Sequence, residues 1–204
     1  MRALTEVETD GLVEIFNIAI GRAAASLGRS VSQPISLSVP ALQFVPLAES
    51  QAHLEQTVGM NVCGVNQRFE GVFDTEATLI FPRNRVLEIV GMWIGEPMTD
   101  EELTELEEET LAEIGNVVLY ACFGSIANML HGKFSGSLPA VRYGTPAELL
   151  GVAGGGKTDT ILITLIDFKF ARHDIQGYLC LLMDEPAVGQ LIACVDRFID
   201  NPDA

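Results

Sequence analysis

Apolar residues recur at the spacing of a helix in some segments of this chain and at the spacing of a strand in others. The same order of segments occurs twice. From 10 to about 29 they cover most of a helix circumference, which predicts a largely buried helix. Residues 34–46 alternate as a strand does, and a second extended pair is predicted at 56–65 and 71–81, joined by a turn at 66–70. A helical spacing returns over 83–94 and completes the first half of the pattern.

The second half repeats this plan. Residues 96–109 are strongly acidic, which indicates a solvated connector leading into the first turn of a long helix over 110–130. Strands are expected near 133–142, 160–168 and 177–182, with a closing helix over 186–198. The pattern predicts an α+β fold, in which pseudo-two-fold duplicated helix–strands–helix units form one domain with a mixed β-sheet covered by helices. We expect a single domain over 1–204, with internal repeats at about 8–97 and 105–200.

Four polar or proline positions of the first half recur in the second half at a constant offset. Asp10, Glu14, Asn17 and Pro40 are followed 99 residues later by Glu109, Glu113, Asn116 and Pro139. Flanking identities, such as Leu12 with Leu111, repeat at the same offset. The period is far longer than the roughly 20–50 residues of a solenoid repeat. It favours two halves fused into one pseudo-symmetric unit.

The helical members of this pattern fall on one face. Positions i, i+4 and i+7 lie within a stripe of roughly 60° on a helix, so all three side chains can contact one ligand. Asn17 and Asn116 stand well inside their helices, where asparagine is a weak helix former, so propensity does not explain them. A single copy would fit the solvent-facing strip of a buried helix, but two aligned copies favour a site. Pro40 and Pro139 are assigned a structural role at strand ends.

Charge and cysteine usage narrow the classes of function. With 12 Lys and Arg against 28 Asp and Glu, the net charge of −16 opposes binding to nucleic acid or anionic lipid. The four cysteines are widely spaced, so neither a zinc site nor a disulfide framework is indicated. No segment approaches about 20 uninterrupted apolar residues, and the N-terminus lacks the pattern of a signal peptide. We expect no membrane insertion and a cytoplasmic location.

One glycine-rich stretch has the sequence pattern of a nucleotide-binding loop. Residues 151–158 match the phosphate-loop pattern G-x-x-x-x-G-K-[ST]. That loop requires a strand before it and a helix after it, so that backbone N–H groups point at phosphate. Here a strand-like apolar run follows directly at 160–166. A glycine-rich connection between two strands is the favoured interpretation.

The repeated positions also resemble a known signature. Asp or Ser, three residues, Glu, two residues, Asn, twenty-two residues and Pro is the pattern of the CheC, FliY and CheX phosphatases of bacterial chemotaxis. The first copy matches it in full, and the second departs only at Glu109, where the family has Asp or Ser. The resemblance covers nearly the whole chain. Two motifs distinguish the chain from CheX, and we expect it to lack the extensions typical of FliY, so CheC is the closest member.

The resemblance implies hydrolysis of the aspartyl phosphate of a CheY-like response regulator. Asn17 and Asn116 would position a water in line with phosphorus, and Glu14 and Glu113 would meet a lysine of the regulator. No cofactor is expected on this chain, and Mg²⁺ is expected in the partner regulator. The deamidase CheD is a further partner that the resemblance allows.

A second class of function stays open. A non-catalytic docking or adaptor module, comparable to the middle domain of FliM, would bind signalling or flagellar switch partners with the same architecture. An intact Glu–Asn pair in each half has no evident use in such a module. The pair therefore favours the enzyme.

Overall fold

The protein is described here by a computed structural model that covers residues 4–31, 35–151, 160–170 and 173–200. Its helices are α1 (Glu6–Val31), α2 (Leu47–Thr57), α3 (Val86–Ile94), α4 (Asp100–Met129), α5 (Pro146–Leu149) and α6 (Glu185–Asp200). Its strands are β1 (Ile35–Pro46), β2 (Val62–Gly71), β3 (Thr75–Pro82), β4 (Phe134–Gly136), β5 (Ala140–Gly144), β6 (Thr160–Phe170) and β7 (His173–Met183). A 3₁₀ turn at Arg83–Arg85 precedes α3.

The strands form one seven-stranded sheet in the order β1-β6-β7-β3-β2, with β4 and β5 both paired to the outer edge of β2. All pairings between the described strands are antiparallel. The predicted α+β class is confirmed. The expectation of a mixed sheet is wrong, because the described strands are all antiparallel to their neighbours. An alternating apolar pattern is the same for either strand direction, so the sequence could not decide this point.

The strand order is symmetric between the two halves, because each half contributes an edge strand that pairs with an inner strand of the other half. The edge strand β1 of the first half pairs with β6 of the second, and β5 of the second half pairs with β2 of the first. The registers agree as well, because Ala41 lies opposite Leu165 and, at the 99-residue offset, Ala140 lies opposite Asn66. This arrangement is compatible with the expected duplication.

Helices cover both faces of the sheet. The larger core cluster lies under α1, α3, α4 and α6, and a smaller cluster lies under α2 and α5 on the opposite face. By length and composition α1 and α4 could each cross a membrane, but their apolar windows are 50% and 61% buried inside the fold. Both are core helices that pack against each other and against the sheet.

Several predicted boundaries are wrong. The turn expected at 66–70 belongs to β2, and the chain reverses at 72–74 instead. Helix α2 was not predicted, because its sequence has few apolar residues and follows a strand-like run without a strong helical spacing. Helix α4 begins at Asp100, so most of the expected acidic connector is helical. Of the glycine-rich loop, Gly151 lies just after α5 with φ of 66°, and 152–159 lie outside the described residues.

Candidate functional site

The repeated polar residues form a stripe on each of the two long helices. On α1, Asp10 and Glu14 are exposed and Asn17 is half-buried. On α4, Glu109 and Glu113 are likewise exposed and Asn116 is half-buried. We call these stripes site 1 (Asp10, Glu14, Asn17) and site 2 (Glu109, Glu113, Asn116). In each site the asparagine lies nearest the sheet, so the predicted shared face is present twice.

At site 1 the asparagine is held by the backbone of β1. The register of β1 against β6 shifts between Ser38 and Ala41, which places Val39 and Pro40 in a bulge. A bulge removes a residue from the ladder, and proline is tolerated there because it has no N–H to lose. The Val39 N–H donates to Asn17 Oδ1 at 3.2 Å. Since an N–H can only donate, the carboxamide oxygen faces the sheet.

At site 2 a side chain takes the place of that backbone donor. Pro139 lies between β4 and β5, where the edge strand is interrupted. Gln67 of β2 donates its Nε2 amide to Asn116 Oδ1 at 3.1 Å and to the Ser137 carbonyl oxygen at 3.0 Å. A carbonyl oxygen can only accept, so the Gln67 atom between these partners is nitrogen and the Asn116 atom is oxygen. Both sites therefore turn Oδ1 inward.

Gln67 was not predicted as a site residue. It is fully buried, and its Oε1 has no hydrogen-bond partner among the described residues. An unsatisfied buried acceptor costs about 1–3 kcal/mol of stability. The signal was present in the sequence, because Cys63, Val65, Gln67 and Phe69 alternate along β2 and are all buried on the core face. Reading 66–70 as a turn concealed that alternation.

Aromatic residues fasten the interrupted edge strand to α4. Phe69 and Phe123 stack with ring centroids 3.9 Å apart, and Tyr120 meets Phe69 edge-on at 5.5 Å. The Tyr120 hydroxyl donates to the Gly136 carbonyl at 2.8 Å. This bond holds the residue immediately before Ser137, which is itself bonded to Gln67. The aromatic cluster thus fixes one of the two acceptors that orient Gln67.

The carboxylates of both stripes lack partners among the described residues. The side-chain oxygens of Asp10, Glu14, Glu109 and Glu113 make no hydrogen bond or ion pair in that part of the chain. The Asn17 and Asn116 Nδ2 groups also have no hydrogen-bond partner there. Each site therefore presents two amide protons and two carboxylates on one exposed strip. Such a strip suits a cationic partner group next to a hydrogen-bond acceptor.

An ion pair with one buried partner joins α4 to the 3₁₀ turn after β3, near site 2. Arg83 contacts Glu107 with 2.9 Å between Nη1 and Oε2, and the Glu107 side chain is only 5% exposed. The Arg83 guanidinium also lies 4.9 Å from the Tyr143 ring centre. Burial, followed by the Glu107 charge, raises the pKa of the neighbouring Cys63 to about 12. Cys63 is therefore a neutral thiol near neutral pH and not a nucleophile.

No group of three or more His, Cys, Asp or Glu side chains that could hold a metal ion is found within the described ranges. The four cysteines are buried thiols, and burial raises the pKa of Cys122 to about 12 as well. The groups that each site presents are therefore carboxylates and one carboxamide.

No protein-family model matches the chain, and no curated protein sequence matches it significantly. Solved structures do match over most of its length. FliY from Thermotoga maritima superposes with a TM-score of 0.76 at 18% identity, covering 96% of this chain and 99% of that one. The FliM middle domain from Vibrio alginolyticus gives a TM-score of 0.63 at 13% identity, covering 90% and 99%.

A chain of the CheX-CheY-BeF3-Mg²⁺ complex from Borrelia burgdorferi gives a TM-score of 0.51 at 18% identity, covering 84% of this chain and 97% of that one. The protein therefore has the fold shared by FliY, CheX and the FliM middle domain. This confirms the fold expected from the CheC/FliY/CheX resemblance. That CheC is the closest member stays a prediction.

Proposed function

We propose that the chain is a phosphatase that hydrolyses the aspartyl phosphate of a CheY-like response regulator in chemotaxis signalling. The observation that carries the proposal is the pair of oriented carboxamides. In each site an asparagine has its oxygen bound by the protein and its amide nitrogen exposed to a partner, one helical turn from an unpaired glutamate. The CheX structure of similar fold is a complex with CheY, which supports a partner of this class.

The chemistry asks little of the chain beyond placement. A water oxygen bonds to phosphorus while the bond from phosphorus to the regulator's carboxylate oxygen breaks. The products are a carboxylate and a dihydrogen phosphate ion that keeps both hydrogens of the water. Asn17 or Asn116 Oδ1 keeps one lone pair and can accept a hydrogen of that water, while Nδ2 donates to the water or to a phosphoryl oxygen. Positioning and charge stabilisation supply most of the catalysis in phosphoryl transfer.

The glutamates provide docking in this proposal. Glu14 and Glu113 would each form a charge-assisted contact with a lysine of the regulator, and Asp10 and Glu109 would extend the same acidic strip. The Mg²⁺ that neutralises phosphoryl charge would belong to the regulator. The location follows from the partner, since such regulators act in the cytoplasm. CheD is a second candidate partner for which the described residues give no separate support.

A docking module is the second candidate, and one observation favours it. Leu138 is 88% exposed beside site 2, and Tyr120 and Leu106 on α4 are also exposed at 44% and 36%. Exposed apolar side chains are common at protein interfaces. The FliM middle domain shares the fold. A module of this kind would bind signalling or switch partners at site 2 without chemistry.

The decay of phosphate from a magnesium-loaded CheY-like regulator separates the two functions. We expect acceleration by the wild type, a partial loss in Asn17→Ala and in Asn116→Ala, and complete loss when both are changed. Asn128→Ala is the matched control, because Asn128 lies on α4 outside the stripe and is exposed. Binding to the regulator without any acceleration would refute the phosphatase and support the docking module.

A further inference from the structure

We propose that Gln67 is a positioning residue of site 2, whose side-chain amide fixes the rotation of the Asn116 carboxamide so that Nδ2 faces the phosphorylated regulator. The proposal rests on the function proposed for Asn116. It assigns the role to a residue outside the repeated pattern, on a strand of the sheet and not on the helix that carries the site.

The need for such a residue follows from how an asparagine side chain rotates. The terminal torsion of asparagine is broad and roughly two-fold, so the oxygen and the nitrogen can exchange places at little cost. A half-buried asparagine is useful in phosphoryl transfer only if one orientation is held. At site 1 the Val39 N–H holds it. No corresponding bond joins Leu138, the residue at the equivalent position, to Asn116 in the described chain.

The two halves differ at the position that supplies the donor. The matching registers place Gln67 of β2 in the position that Ile166 occupies in β6. Both residues are fully buried, so the core accepts an aliphatic side chain in one half and holds an amide in the other. The amide leaves its own oxygen without a hydrogen-bond partner in the described part of the chain. The unpaired oxygen is a cost that isoleucine would not carry, and the donor to Asn116 and Ser137 is what glutamine adds.

The amide also links the site to the interrupted edge strand. Its Nε2 group is shared between Asn116 Oδ1 and the Ser137 carbonyl, at 3.1 and 3.0 Å. Because the carbonyl admits only a donor, it prevents Gln67 from turning its oxygen toward Asn116. The Ser137 carbonyl thus sets the orientation of the Gln67 amide, and the Gln67 amide sets the orientation of the Asn116 carboxamide.

The test uses the full chain with Asn17→Ala, so that only site 2 works. Adding Gln67→Met keeps the length of the side chain and removes the donor. We expect kcat for phosphate release to fall about three- to tenfold, the factor set by one ordinary hydrogen bond, with KM little changed. Gln67→Glu, which offers only acceptors, should cost more because it draws Nδ2 inward. Ser125→Ala is the control, since it removes another buried polar atom that lacks a hydrogen-bond partner within the described ranges.

A double-mutant cycle separates positioning from general damage. The cycle is run in chains that keep Asn17, so that site 1 supplies a measurable rate when Asn116 is alanine. There the effect of Gln67→Met on phosphate release should disappear once Asn116 is alanine. An equal loss with and without the Asn116 side chain, or no loss at all, would overturn the proposal.

A readout independent of activity keeps the two proposals apart. In an amide-resolved NMR spectrum, the two Asn116 Nδ2 proton signals should be sharp in the wild type and should shift and broaden in Gln67→Met. If this change occurs but the wild type does not accelerate phosphate decay, positioning stands and the phosphatase is refuted. If the signals are unaffected, the positioning role is refuted whatever the activity.

Discussion

Sites 1 and 2 reach the same orientation of an asparagine by different means. At site 1 the strand bulges at Pro40, the Val39 side chain turns into the core, and its backbone N–H binds Asn17. At site 2 the strand is interrupted, the Leu138 side chain turns out to 88% exposure, and Gln67 binds Asn116. What the halves have in common is therefore the placement of one polar group, while the supporting structure varies.

The packing beneath the two helices differs in the same way. Phe16 of α1 and Gly115 of α4 occupy equivalent positions, each just before the asparagine, and both are buried. Farther along, Gly21 and Ala24 of α1 correspond to the aromatic pair on α4. A missing side chain lets α4 approach β2 closely at Gly115, and the aromatic rings fill the space beyond. Where one helix has a large side chain at these positions, the other has a small one, and at Gly115 the helix with the small side chain lies close to the sheet.

The largest effect is expected from Asn→Asp changes, which test whether the sites share one mechanism. Aspartate keeps the oxygen that Val39 or Gln67 binds and loses the amide donor. With the other site silenced by Asn→Ala, Asn17→Asp and Asn116→Asp should each lower the rate of phosphate release by about 100-fold, as loss of an oriented donor does elsewhere. Stopped-flow measurement of regulator dephosphorylation checks this. Retained activity in either variant would show that Nδ2 is dispensable there.

The exposed and buried members of an equivalent pair provide the next comparison. Val39 is 4% exposed and Leu138 is 88% exposed. Val39→Ala should lower the free energy of unfolding by about 2 kcal/mol, because it leaves a cavity in the core. Leu138→Ala should change it by less than about 0.5 kcal/mol. Urea denaturation measures both, and equal losses would contradict the proposed difference between the two strands.

Two glycines on α4 sharpen the comparison of helix approach. A Cβ at Gly115 would lie within 2.7 Å of two Val65 side-chain atoms, whereas a Cβ at Gly124 would meet nothing within 4 Å. Gly115→Ala should therefore lower stability by about 1–3 kcal/mol and reduce the activity of site 2 by moving Asn116 off Gln67. Gly124→Ala should raise stability by up to about 1 kcal/mol through helix propensity. Thermal unfolding distinguishes them, and a stabilising Gly115→Ala would argue against close approach.

The smallest effect concerns how the helices begin. Thr99 and Glu102 form an exposed capping box on α4, and hydrogen bonds from Thr99 lower the pKa of Glu102 below its ordinary 4.5. Because the folded pKa is the lower one, this contribution is present above about pH 4.5 and is lost as the pH falls through the folded value. Unfolding of wild type and Glu102→Gln should therefore differ slightly near neutral pH and converge in acid. A difference that grew in acid would reverse the sign. At the start of α1 the same capping bonds join Thr5 and Glu8, and there the acid is buried.

The sequence was sufficient for features that depend on local periodicity. Spacing along α1 and α4 predicted the two stripes, and the positions of Asn17 and Asn116 relative to the prolines were readable without a structure. The alternation along β2 could have shown that Gln67 is buried on the core face, but not its role, because that role depends on a contact 49 residues distant and on a carbonyl 70 residues distant. Strand direction and α2 were missed for a related reason, since tertiary pairing and not local pattern decides them.

The exchange of edge strands between the halves has a consequence for how the chain holds together. Residues 95–99, which join α3 to α4, take part in no strand pairing, whereas β1 and β5 each cross to the opposite half. If the chain were cut in that connector, the two fragments would stay bound through the pairing of β1 with β6 and of β5 with β2. The halves should therefore reassemble when they are produced as separate chains. A single half produced alone could pair the exposed backbone groups of its edge strand only with a second copy of itself.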